Sequence, residues 1–195
     1  MTEIIIATKN TGKVREFKAL LEPLGYNVIS LLDFTDSIDV EETGATFVEN
    51  AILKAEAIAN AYHKRTIADD SGLEIDYLNG EPGVYSARYA GLHKDDKDNL
   101  NKVLEKLSTV HNQQDRTARF VCALAISSPG EATKTVLGTC EGYIAEQPSG
   151  ENGFGYDPIF IVKEKMKTMA SLSSEEKNNI SHRAMALKKL IELIK

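Results

Sequence analysis

Only two cysteines, Cys122 and Cys140, stand in the 195 residues. Both fall inside apolar or strand-like runs, so buried, reduced thiols are expected, and their spacing suggests no metal site. No apolar stretch approaches the ~20 residues that cross a bilayer. The opening Met-Thr-Glu-Ile lacks the basic head and long apolar core of a signal peptide, and a cytoplasmic location is expected. A basic excess is missing too: 23 Lys and Arg face 29 Asp and Glu, a formal net charge of -6. That argues against a general grip on nucleic-acid backbones, but leaves room for a small phosphorylated ligand held by a few local cations. Internal repeats and low-complexity linkers are absent.

What is present, 42% hydrophobic and 27% charged residues, is the make-up of an ordinary globular protein with a sizeable core. One domain in two lobes is expected. Strand and helix patterns alternate. Ile4-Ile5-Ile6-Ala7 reads as a short buried strand. Val14, Phe17, Leu20, Leu21 and Leu24 recur at helical spacing up to Gly25. Tyr26 to Leu31 reads as a second strand. Thr46-Phe-Val-Glu49 is a capping box that opens a helix to about Tyr62, and Ser173-Ser-Glu-Glu176 is a second one. Residues 66–70 read as a strand ending in acid. Residues 119–127 and 135–145 read as long strands around Pro129-Gly130, and Pro158 to Val162 as another. Leu100, Val103, Leu104 and Leu107 mark a helix. Ile180, Ala184, Leu187, Ile191 and Ile194 mark a final one. The expectation is an α/β protein, a mixed sheet with helices packed around it.

Five stretches carry chemistry. In Ala7-Thr-Lys-Asn-Thr-Gly-Lys13, with Arg15 close behind, cations crowd a helix start that ordinarily favours anions. Either they are ordinary exposed residues or an anion belongs in the turn. The loop is not a P-loop, which would need Gly at Ala7 and Ser or Thr at Val14. Asp39 to Phe47 puts three acids, Asp39, Glu41 and Glu42, ahead of a capped helix, a pattern that also suits the helix dipole. Asp69 and Asp70 are expected at a strand end, with Ser71-Gly72 as a tight turn. Buried without a cation they would be costly; Mg²⁺ would relieve that cost, and a solvated turn would avoid it. Gly150 to Phe160 surrounds Phe154, Tyr156 and Asp157 with glycines, a setting for stacking or for a partly buried connection. Lys177, His182 and Arg183 are donors that cannot share one face of a single helix, with Ser181 able to cap a new one. Taken together, the inventory suits hydrolysis of a nucleoside triphosphate.

The motifs T-x-N-x-x-K at 8–13, E-E-T-G-x-T-F-x-E-N-A at 41–51, A-D-D-S-G-L at 68–73, P-G-x-Y-S-A-R-Y at 82–89, G-F-G-Y-D-P-I-F at 153–160 and S-H-R at 181–183 occur in this order. In these the chain closely resembles the inosine triphosphate pyrophosphatase family, from about residue 4 to residue 191. The resemblance implies an elongated mixed α/β fold of two lobes around a central cleft, and a homodimer. It implies Mg²⁺-dependent hydrolysis of dITP, ITP and XTP to the monophosphate and pyrophosphate, with no nucleic-acid polymer or membrane as partner. Carried over by position, Thr8, Asn10 and Lys13 would bind the phosphates with Lys54 and Ser71, and Lys9, Thr11 and Gly12 belong to the same loop. Glu41 and Asp70 would hold Mg²⁺, with Asp70 also the general base. Phe154 would stack on the base with Gly155, Tyr156 and Asp157 beside it, and Lys177, His182 and Arg183 would read the base edge. The family pattern has Gly where this chain has Lys9, a costly exchange if that position needs a positive φ. Two other readings compete: a sibling pyrophosphatase for modified pyrimidine or methylated nucleotides, and a nucleotide-binding regulator without catalysis.

Overall fold

The structure, a computed structural model, describes residues 2–194; Met1, Lys195 and the side chain of Ile194, the last residue of the expected apolar stripe, lie outside that description. Among the described residues the strands form a seven-stranded sheet in the order β2-β1-β3-β4-β5-β6-β7. These are β1 (Thr2–Ile6), β2 (Tyr26–Ser30), β3 (Thr66–Ile75), β4 (Thr117–Ser127), β5 (Lys134–Ile144), β6 (Phe160–Val162) and β7 (Lys167–Thr168). β1 runs parallel to both β2 and β3, whereas β6 is antiparallel to β5 and β7. The sheet is therefore open and mixed, as expected. The helices are α1 (Thr11–Leu21), α2 (Phe47–Tyr62), α3 (Asp96–Lys106), α4 (Ser174–Ile180) and α5 (His182–Ile194). None of the described helices is long and apolar enough to cross a membrane.

The chain forms two compact units, each from discontinuous segments. The first comprises Met1–Asp70, Cys122–Gly138 and Arg183–Lys195; the second comprises Ser71–Val121 and Thr139–His182. The first unit's core joins Ile4 and Ile6 of β1, Phe17 and Leu21 of α1, Ile67 of β3, Leu124 of β4 and Leu187 of α5. The second unit's core joins Leu73 and Ile75, Leu100 and Val103 of α3, Phe120, Tyr156, Phe160 and Met169. Burying each such side chain contributes about 1.5–3 kcal/mol. Both thiols are buried and free.

Local sequence sets several boundaries. Thr46 accepts from the Glu49 amide at 3.2 Å while Glu49 accepts from the Thr46 and Ala45 amides, so the capping box at α2 is complete. Its Ser173/Glu176 counterpart opens α4. Three expectations need correcting. Ser71-Gly72 is not a turn: β3 continues to Ile75, and Gly72 has no positive φ. The apolar residues on both sides supply its buried strand faces. Residues 157–159 form a short 3-10 turn, so β6 starts at Phe160. Ile180 ends α4 rather than starting the last helix, because Ser181 adopts extended backbone between the two.

Candidate active site

The first unit holds the loop that follows β1. The Ala7 amide donates to the Ile67 carbonyl at 2.8 Å, which ties the loop's start to β3. The Asn10 amide donates to Thr8 Oγ1, and Asn10 Oδ1 accepts from the Lys13 amide at 3.0 Å as the N-cap of α1. The first turn of α1, with Thr11 exposed and Gly12 half-buried, contains no acid. A helix start of this kind attracts anions through its N–H groups and its dipole. Lys9 does not take a positive φ, so its place in the loop carries no backbone strain. Its ammonium pairs with Asp39 at 2.6 Å, and that of Lys13 pairs with Asp69. Arg15 is exposed.

Successive strand residues point to opposite sides, and the two buried aspartates of β3 meet different surroundings. Asp69, 1% exposed, accepts from Arg183 Nε at 3.0 Å and pairs with Lys13. Burial works to raise its pKa, but the charges of Arg183, Lys13 and Lys54 outweigh that and hold it far below the usual carboxylate range. Asp70, 6% exposed, accepts from Asn50 Nδ2 at 3.0 Å and lies 3.8 Å from the Lys54 ammonium. Burial raises its pKa, and Glu42 adds to the rise against the opposing pull of Lys54, Lys13 and the Asn50 hydrogen bond. The two neighbouring carboxylates are thus pushed in opposite directions, Asp69 down and Asp70 up. Such a division marks acid–base chemistry.

The segment 39–45 folds toward this pair. Lys54 donates to Glu42 Oε1 at 2.6 Å and to the Asp69 carbonyl at 2.7 Å. The Gly44 amide donates to Asn50 Oδ1 at 2.7 Å, an approach so close that a Cβ on Gly44 would stand 2.7 Å from that same oxygen. Glu41, the expected metal ligand, is exposed, whereas Glu42 is half-buried at Lys54. Among the described residues no three His, Cys, Asp or Glu side chains gather into a ready-made metal cage. Mg²⁺ needs none: it commonly takes one or two carboxylates plus phosphate oxygens and water. Asp70 and Glu42 both lie at the Lys54 ammonium, and hard carboxylate oxygens are the donors that Mg²⁺ takes. The donor set fits.

In the second unit, Asp157 Oδ2 accepts from the Phe154 amide at 3.0 Å and from the Lys177 ammonium at 2.5 Å. The Lys177 ammonium also lies 4.8 Å from the centre of the half-buried Phe154 ring. Gly153 has φ +80°, and a Cβ there would strike the Asp157 carboxylate, so only glycine lets the loop close on that acid. The Gly155 amide donates to Asp96 at 2.8 Å. Tyr156 is core: it is buried, and its hydroxyl donates to the Ser86 carbonyl at 2.7 Å. His182 is buried and stacks on Phe120, with centroids 4.8 Å apart. Ser71 is half-buried in β3. Between His182 and Arg183 the chain passes from the second unit into the first. There Arg183 Nη1 pairs with Glu16 while Nε serves Asp69. Sequence reading had no role for Asn50, Glu42 or Glu16. Asn50 was within reach, since it stands one turn before Lys54 on α2.

The open mixed sheet, a helix start free of acid in its first turn and two buried aspartates close to lysine ammoniums define an α/β protein suited to a phosphorylated ligand. Residues 4–193 match the Ham1 family. This chain belongs to the Ham1 family. It is 66% identical to the dITP/XTP pyrophosphatase of Bacillus subtilis (strain 168), over 100% of this chain and 98% of that protein. Its fold is similar to that of the Staphylococcus aureus Ham1 protein, at TM-score 0.86 and 52% identity, covering 99% of this chain and 98% of that one. A HAM1 protein from Coxiella burnetii gives TM-score 0.87 and 44% identity, covering 100% of this chain and 98% of that one.

Proposed function

We propose that this chain hydrolyses dITP, ITP and XTP between the α- and β-phosphates and so clears deaminated purines from the nucleotide pool. The observation that carries this reading is the placement of buried Asp70 at Asn50 and the Lys54 ammonium, in the same unit as a helix start that attracts anions. The relatives named as dITP/XTP pyrophosphatases support the substrate class. Thr8, Asn10, Lys13, Lys54, Ser71 and the α1 amides hold phosphate oxygens. Asp70 takes the proton of the attacking water. The new bond forms from the water oxygen to the α-phosphorus, the bridge to the β-phosphate breaks, and pyrophosphate leaves with that bridging oxygen. Asp70, with Glu41 or its neighbour Glu42, would hold Mg²⁺, which would supply charge neutralisation to the phosphates.

For the base, Phe154 offers a stacking face, and Lys177, His182 and Arg183 are the donors that read its edge. Inosine and xanthine present a 6-keto acceptor where adenine presents a donor. An unpaired buried donor costs about 1–3 kcal/mol, so a keto-reading site disfavours adenine. A cytoplasmic homodimer completes the reading; exposed Tyr85 and Leu92 give such an interface apolar material. The test is the product of ITP turnover, read by phosphorus NMR in Mg²⁺ buffer. Inosine monophosphate plus pyrophosphate is expected. Inosine diphosphate plus orthophosphate contradicts the cleavage point.

A further inference from the structure

Two carboxylates tie down two successive amides of the glycine-rich loop. The Phe154 amide donates to Asp157 inside the loop, whereas the Gly155 amide donates to Asp96 Oδ2 at 2.8 Å, and Asp96 stands 59 residues away on α3. Both ends of that second bond belong to the second unit. The proposed reaction gives Asp96 no role. Nor does the helix need it as a cap: Asp95 caps α3 by accepting from the Asp98 amide at 2.9 Å, and Asp96 follows it, exposed, in the first turn. A negative charge in a first turn is favoured by the helix dipole, and a carboxylate on an amide makes a charge-assisted hydrogen bond. Gly153 and Gly155 both take left-handed backbone, at φ +80° and +60°. Glycine enters that region at no steric cost, but it also leaves a chain the most freedom to lose. Phe154 stands between the two. On the core side the Tyr156 hydroxyl holds the loop to the Ser86 carbonyl; on the exposed side the tie is Asp96.

We propose that Asp96 is a positioning residue for base recognition: by holding the Gly155 amide it keeps the Phe154 ring in place as a preformed stacking face. The inference rests on the reading of Phe154 as the base platform and adds the residue that orders it. Asp96 acts through the backbone rather than on the ligand. Without it the glycine-flanked ring regains freedom, and a ligand that stacks on the ring must order it again on binding. A ligand that lacks a base escapes that cost. Asparagine at position 96 still presents an oxygen acceptor, whereas alanine presents none.

Two probes separate the ends of the substrate: inosine monophosphate, which carries the base, and inorganic tripolyphosphate, which has none. Calorimetry reads the binding of both. Asp96→Ala is expected to weaken inosine monophosphate about three- to tenfold, the worth of one hydrogen bond, and to leave tripolyphosphate within about twofold. KM for ITP should rise by a similar factor while kcat changes less. Asp96→Asn should restore most of the lost affinity. In a Phe154→Ala background, Asp96→Ala should add little, since both act through one ring. The inference is overturned if Asp96→Ala leaves inosine monophosphate binding unchanged, if it weakens tripolyphosphate by the same factor, or if the Asp96 and Phe154 effects multiply. A wild type that releases no pyrophosphate from ITP overturns the functional reading instead, and the contrast between the two probes still decides the role of Asp96.

Discussion

Asn50 Nδ2 donates to Asp70 Oδ2 at 3.0 Å while Asn50 Oδ1 accepts from the Gly44 amide. One buried amide thus joins the acidic segment to the carboxylate proposed as the base. It fixes where the Asp70 proton acceptor points without neutralising it, and the raised pKa survives this hydrogen bond.

Asp70→Asn keeps the shape and removes the base. Turnover of ITP should fall at least about 10²-fold, the usual general-base contribution. Stability should move the other way. A carboxyl whose folded pKa is raised costs stability once it ionises, so metal-free Asp70→Asn should melt no lower than wild type near neutral pH. That advantage should vanish below the unfolded pKa, about 3.9. Paired kinetics and melting curves check both; near-normal turnover would move the base elsewhere.

Asp69→Asn should behave oppositely. Its folded pKa is depressed, so its stabilisation is fully present above the unfolded value of about 3.9 and is lost as pH falls through the depressed folded value. Removing it leaves Arg183 and Lys13 short of a buried partner, at about 3–5 kcal/mol. Metal-free denaturation at pH 7 and pH 3 should show a large gap from wild type at the first and a smaller one at the second. A gap that widens on acidification contradicts the assignment.

Lys9→Gly tests the loop position where the resemblance leads one to expect glycine. The Lys9–Asp39 bridge is exposed and worth about 0–1 kcal/mol, so melting should hardly change. Loss of one cation from the loop should raise KM for ITP more than it lowers kcat. A collapse of kcat at constant KM would place Lys9 in the transition state.

Gly153→Ala forces a side chain onto the Asp157 carboxylate at a positive φ. A cost of about 1–3 kcal/mol is expected from the strained backbone alone. The Asp157–Lys177 pair beside Phe154 should open, and discrimination between ITP and ATP should drop more than kcat does. Unchanged discrimination would separate that loop from base reading.

What the sequence made legible was local. Both capping boxes stand where their residues put them, because a Ser or Thr and a Glu three positions on satisfy the amides of one turn. The break between Lys177 and His182 was also readable, since residues five and six apart do not share a helix face. At Ser71-Gly72 the turn propensity of two residues lost to a strand buried on both faces. The ionic cluster was beyond reach: Arg183 stands 114 residues from Asp69 and 167 from Glu16, and no spacing rule links them. Asp69 and Asp70 looked like one pair of acids, because their different neighbours come from α1, α2 and α5.

The proposed activity is that of a purine triphosphate pyrophosphatase reading a 6-keto edge. Its most direct test is pyrophosphate release, as kcat/KM, across ITP, XTP, GTP, ATP and a pyrimidine triphosphate with Mg²⁺ present. ITP and XTP are expected ahead of ATP by roughly 10² to 10⁴, the span of two unpaired buried groups. Equal hydrolysis of ATP and ITP, a preference for the pyrimidine, or binding of all five with no pyrophosphate released would contradict it.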